Sequence, residues 1–68
     1  MDFVEYVRRC SLANTEVGDF LLDASADAQL PRAMKWLELR DYLDRRNAAP
    51  RAMEAARIVW RRYLRAKA

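Results

Sequence analysis

Apolar residues recur along this chain at helical intervals, and nowhere do four or more positions alternate apolar and polar between turn formers, as a half-buried strand requires. Phe3, Val7 and Cys10 stand at steps of four and three, one stripe of a first helix predicted over residues 2–12. Asn14-Thr15 interrupts that stripe. Thr15 is the predicted N-cap of a second helix, with Glu16 and Asp19 in the first turn, where carboxylates meet the positive end of the helix dipole. The stripe of this second helix is Val17, Phe20, Leu21 and Ala24, and its end is expected near Asp27, because Pro31 disfavours helical geometry at Leu30.

Trp36, Leu39, Tyr42 and Leu43 fall at i, i+3, i+6 and i+7, the inner face of a third helix. Its start lies somewhere between Pro31 and Lys35, with no clear cap, and its end lies near Arg46. Asn47-Ala48-Ala49-Pro50 breaks the pattern, and Pro50 suits the first turn of a fourth helix running almost to the C-terminus. The expected fold is therefore all-α, a compact four-helix bundle forming a single small domain over residues 1–68. Its expected core includes Phe3, Phe20, Trp36, Leu39, Tyr42, Leu43, Trp60 and Tyr63.

The fourth helix can be drawn as a wheel at about 100° per residue. Ala52, Ala56, Val59, Trp60, Tyr63 and Leu64 share one arc, the predicted core side, while Arg51, Arg57, Arg61, Arg62 and Arg65 share the other. Glu54 is the acid among those arginines, and Ile58 is an apolar residue placed between them. Trp60 and Tyr63 thus read as core anchors. They do not interleave with the cations as stacking platforms for a single-stranded nucleic acid would.

Composition narrows the function classes. A chain of 68 residues has room for one core, worth only about 3 to 5 kcal/mol without a staple or partner. A 53% hydrophobic share argues against disorder and a 34% charged share against a membrane protein. With no apolar run near the roughly 18 to 20 residues of a spanning helix, and an acidic Met1-Asp2-Phe3-Val4-Glu5 start, a cytoplasmic location is expected. Cys10 is the single cysteine and there is no histidine, so an internal disulfide, the usual Cys/His metal spacings and a Cys–His nucleophile pair are all excluded. Cys10 reads as a small buried hydrophobe. The chain also lacks a Gly-rich phosphate loop and a nucleophile beside a base, and has too little mass to enclose a pocket, so no enzyme, catalytic residue, cofactor or small-molecule substrate is assigned. No metal is assigned either, since carboxylates along a helix lack the loop geometry of hard-cation sites.

Charge changes the picture more. Residues 1–31 carry two basic against six acidic side chains, a net −4, and residues 32–68 carry eleven against four, a net +7. Asp19, Asp23 and Asp27 recur every four residues, each like-charge step costing a few tenths of a kcal/mol on a helix. Asp27 reads as a local structural group at the helix end. Asp19 and Asp23, with Arg57, Ile58, Arg61 and Arg65, are the candidate partner-binding residues. The basic face admits three readings. It could be a solvated surface; a salt-sensitive grip on duplex nucleic acid; or a protein contact, made with an acidic partner or with the Asp19/Asp23 stripe of another copy.

The run GDFLLDASADAQLP, then WLELRDYLD, then VWRRY, resembles the YozE SAM-like family, small bacterial proteins with a sterile-alpha-motif-like helical bundle. Phe20, Ala24, Asp27 and Leu30-Pro31 stand where that family places an aromatic, a small, an acidic and an aromatic-Pro residue. Trp36, Leu39, Tyr42 and Leu43 match its third-helix core positions, and Trp60 with Tyr63 its last-helix W-x-x-Y. The likeness spans residues 3–64, with Leu30 in place of the more usual Phe and a more basic last helix. It implies a SAM-like fold; the family has no settled activity to carry across.

Overall fold

The computed structural model describes residues 1–10 and 17–68, and among them the chain forms four helices and no strand. These are α1 (Phe3–Arg9), α2 (Gly18–Ala26), α3 (Trp36–Arg45) and α4 (Pro50–Lys67). The predicted Thr15 cap and Glu16 lie outside the described residues.

Each helix begins and ends for local reasons. Asp2 caps α1, its carboxylate accepting from the Glu5 N–H at 2.8 Å. Arg9 then pairs with Glu5 one turn back at 2.7 Å, with the acid N-terminal to the base as the helix dipole prefers. The helix stops at Arg9, shorter than the predicted 2–12: Cys10 has extended backbone, and its N–H turns back to the Val7 carbonyl at 3.2 Å. Phe3 and Val7 are buried as expected, whereas Cys10, past the last turn, is only half-buried.

Helix α2 buries Phe20, Leu21 and Ala24, together with Val17 just before it, the four residues of the predicted stripe. Asp27 ends it. The Asp27 carboxylate accepts from the Gln29 N–H at 2.9 Å, and its carbonyl accepts from the Leu30 N–H at 3.3 Å. This Asx turn folds the buried Leu30 under the bundle just before Pro31 forbids further helix.

The weak start foreseen for α3 has a physical counterpart, since Lys35 occupies its N-cap position without any side-chain hydrogen bond. Its end is strongly made. Ala48 N–H reaches the Leu43 carbonyl and Asn47 N–H the Asp44 carbonyl, both at 3.0 Å, a Schellman motif with Asn47 at φ 56°. Asparagine tolerates that left-handed conformation better than any β-branched residue would. Pro50 then opens α4 at its first turn, where its missing N–H costs nothing.

Helix α4 is the hub. It packs against α1, α2 and α3, and α1 also packs on α2. Phe3 of α1 meets Trp60 and Tyr63 with ring centroids 5.2 and 5.4 Å apart, and Tyr6 meets Tyr63 at 5.6 Å. Tilted and edge-on contacts of this kind are the favoured aromatic geometry. Leu39 and Leu43 bring α3 onto the same core, flanked by half-buried Trp36 and Tyr42. The Cα radius of gyration is 10.8 Å, close to the roughly 11 Å expected of a folded chain this long. No helix among the described residues is long and apolar enough to cross a membrane.

Candidate interaction faces

The basic side of α4 is divided by its neighbours. Arg57 lies with its guanidinium carbon 5.3 Å from the Trp36 ring centroid, a cation–π contact that draws it toward the start of α3. Arg62 turns toward α1. Burial first, and then the neighbouring Cys10 sulfur, push the Tyr6 hydroxyl above its ordinary range, while the Arg62 charge pulls it the other way. Arg61 and Arg65, between these two, are exposed, and among the described residues neither has a carboxylate in ion-pair range. Lys67 closes the helix with its ammonium 5.3 Å from the Tyr63 ring centroid.

Two apolar residues of α4 exchange the roles expected from the wheel. Ile58, predicted as an apolar residue exposed among the arginines, is half-buried and packs against the core cluster. Three helices surround α4, so apolar cover reaches further round it than a single stripe. Leu64, predicted on the core arc, is 43% exposed. The Arg57–Trp36 contact sets the start of α3 level with the middle of α4, so Leu64, about two turns further on, lies beyond that helix. The exposed face therefore comprises Arg57, Arg61, Leu64 and Arg65, with Leu64 at its edge beside Arg57 and Ile58 outside it.

Asp19 and Asp23 are exposed on α2, and neither has a cation in ion-pair range among the described residues. Asp27 differs from them. It accepts a short hydrogen bond from the Tyr42 hydroxyl, which in turn accepts from Arg46 at 2.8 Å, and the Arg46 guanidinium stands 3.8 Å from the Asp27 carboxylate. The Tyr42 hydroxyl, aided by the Gln29 N–H and the Arg46 charge, holds the Asp27 carboxyl below the usual carboxylate range despite its burial. Burial and the facing carboxylate push Tyr42 up.

Between α2 and the corner where α3 passes into α4 lies an open groove of about 1220 Å³. It was not among the features expected of a chain with too little mass to enclose a pocket. Its lining includes Phe20, Ala24, Leu43, Ala48, Ala52 and Ala55, most of them alanines, whose short side chains leave the space between the helices unfilled. Asp19, Asp23 and Asp27 edge it on the α2 side, and Arg46 and Arg51 on the other. The alanines at 24, 48, 52 and 55 are the one sequence signal for a gap there. Among the described residues no group of three or more ligating side chains is placed to hold a metal ion.

No family model, curated protein or solved structure matches this chain.

Proposed function

We propose that this chain is a non-enzymatic protein-interaction module of the cytoplasm that docks through the exposed face of α4 formed by Arg57, Arg61, Leu64 and Arg65. Its architecture is read as SAM-like and related to the YozE family. That reading is supported by Phe20, Leu39, Leu43, Trp60 and Tyr63, all positions of the resemblance and all members of one core. The observation that carries the function is Leu64, 43% exposed on the same helix as two arginines without an ion-pair partner among the described residues. Cations alone would suit phosphates as well as carboxylates. A large aliphatic side chain at the edge of their arc gains from burial against another apolar surface, and a phosphate backbone offers none.

The test is the double reversal Arg61→Glu with Arg65→Glu, made on exposed positions so that circular dichroism and melting stay close to those of the parent. Parent and variant are immobilised side by side and challenged with native lysate, with and without nuclease. Retention of specific proteins by the parent alone, insensitive to nuclease, is the expected result. Retention that disappears with nuclease would move the face to nucleic-acid binding, and identical retention by both proteins would leave it a solvated surface.

A further inference from the structure

The two most exposed large apolar side chains among the described residues belong neither to the α4 face nor to the groove. Met34, in the segment between α2 and α3, is 78% exposed, and Leu37, in the first turn of α3, is 65% exposed. They flank Trp36, which is half-buried against the core. Cations gather around them. Lys35 stands between Met34 and Trp36 at the N-cap of α3, Arg40 lies one turn past Leu37, and the Arg57 guanidinium carbon is 5.3 Å from the Trp36 ring centroid. Lys35 and Arg40 are exposed, and among the described residues neither has a carboxylate in ion-pair range. The acids nearby are largely engaged. Asp2 pairs with Arg32 at 3.5 Å, Glu38 accepts from the Met34 N–H at 3.5 Å, and Asp41 pairs with Arg45, while Asp44 stands two turns beyond Leu37.

We infer that this patch is a peripheral contact for an anionic lipid bilayer. Protruding apolar tips ringed by cations call for a ligand that offers both negative charge and an apolar phase. Duplex nucleic acid offers only the first. A bilayer offers the two in layers, with anionic headgroups at its surface and hydrocarbon beneath. Met34 and Leu37 reach furthest out and enter the lower layer, while Lys35, Arg40 and Arg57 stay among the headgroups with their aliphatic stems directed inward. An acidic protein would need a hollow moulded to two side chains that stand largely clear of their own neighbours, whereas lipid rearranges around them. The flexible thioether of Met34 suits a surface of that kind. The split between a net −4 over residues 1–31 and a net +7 over residues 32–68 also turns the basic part of the molecule toward an anionic surface.

Vesicles supply the test. The full chain is mixed at low salt with vesicles of phosphatidylcholine alone and of phosphatidylcholine with phosphatidylglycerol in equal parts, and binding is read by cosedimentation. The anionic vesicles should bind roughly tenfold or more tighter than the neutral ones, and less tightly as salt rises. Trp36 adjoins Leu37, so its emission should shift to the blue on binding and be quenched by lipids brominated on their acyl chains. Met34→Ser/Leu37→Ser and Lys35→Glu/Arg40→Glu, all at exposed positions, should melt like the parent, and each should weaken binding by roughly tenfold or more. The serine pair is decisive because it leaves every charge in place. Absence of binding to anionic vesicles at low salt, or equal binding by the parent and the serine pair, overturns the inference. So does capture from lysate of an acidic protein by the parent and not by the serine pair when vesicles bind neither, which would give the patch a protein partner. The α4 reading is untouched by each of these outcomes, since neither Met34 nor Leu37 belongs to that face.

Discussion

The Tyr42 hydroxyl donates to the Asp27 carboxylate across 15 residues of sequence, joining the end of α2 to the middle of α3. The backbones of the two helices do not otherwise come close, and each packs against α4. The bridge lines the groove, and Arg46, the C-cap residue just past α3, completes it. A polar cluster of three groups thereby ties together two helices that also share the apolar core.

Removing the hydroxyl tests that role. Tyr42→Phe should cost about 1 to 3 kcal/mol, the usual loss for a hydrogen bond to a charged group, and should let the Asp27 carboxyl rise toward its ordinary range. Because the folded state holds that carboxyl low, its contribution is present above the unfolded-state value and is lost as pH falls through the folded one. Tyr42 is raised, so its contribution is full below its ordinary value near 10 and is lost at more alkaline pH. Urea midpoints from pH 2 to 7 should fall on the acid side for the parent and more shallowly for Tyr42→Phe. Equal acid slopes would remove Asp27 from the account.

Trp60 is 5% exposed, with its ring centroid 5.2 Å from that of Phe3 and 5.1 Å from that of Tyr63. Trp60→Ala should cost about 3 to 5 kcal/mol, comparable with the whole stability of a domain this small. The expected protein has lost cooperative melting at 25 °C. A cooperative transition at the parent's temperature would place the ring outside the core.

Ile58 and Leu64 make a paired test on one helix. Ile58→Ala should lower stability by about 1 to 2 kcal/mol, since its half-buried side chain is packed against the core. Leu64→Ala, at a site 43% exposed, should change it by about 0.5 kcal/mol or less. Thermal melts of the two variants decide the order, and the reverse order would restore the arrangement expected from the wheel.

Salt separates phosphate from protein as the ligand of α4. Fluorescence titrations with arbitrary duplex at 50 mM and 200 mM salt should show no binding at either. A log–log slope near −0.9 per phosphate contacted is the signature of counterion release, and its appearance would identify the face as a nucleic-acid grip.

The helices and most of the core were legible in the sequence because they depend on near-neighbour physics. Period 3.6 stripes selected Val17, Phe20, Leu21 and Ala24; Asp27 with Pro31 stopped α2, and Pro50 started α4. A wheel, however, gives direction only about a helix's own axis. Whether Ile58 or Leu64 meets another helix depends on how far α1, α2 and α3 extend along α4, and that is a property of the packed bundle. The partners of Arg57 and Asp27 are 21 and 15 residues distant in the chain, a separation no local pattern encodes. The groove has the same origin. Alanines favour helix wherever they stand, and only the packing of α2 beside the α3–α4 corner turned their missing side-chain volume into an open groove.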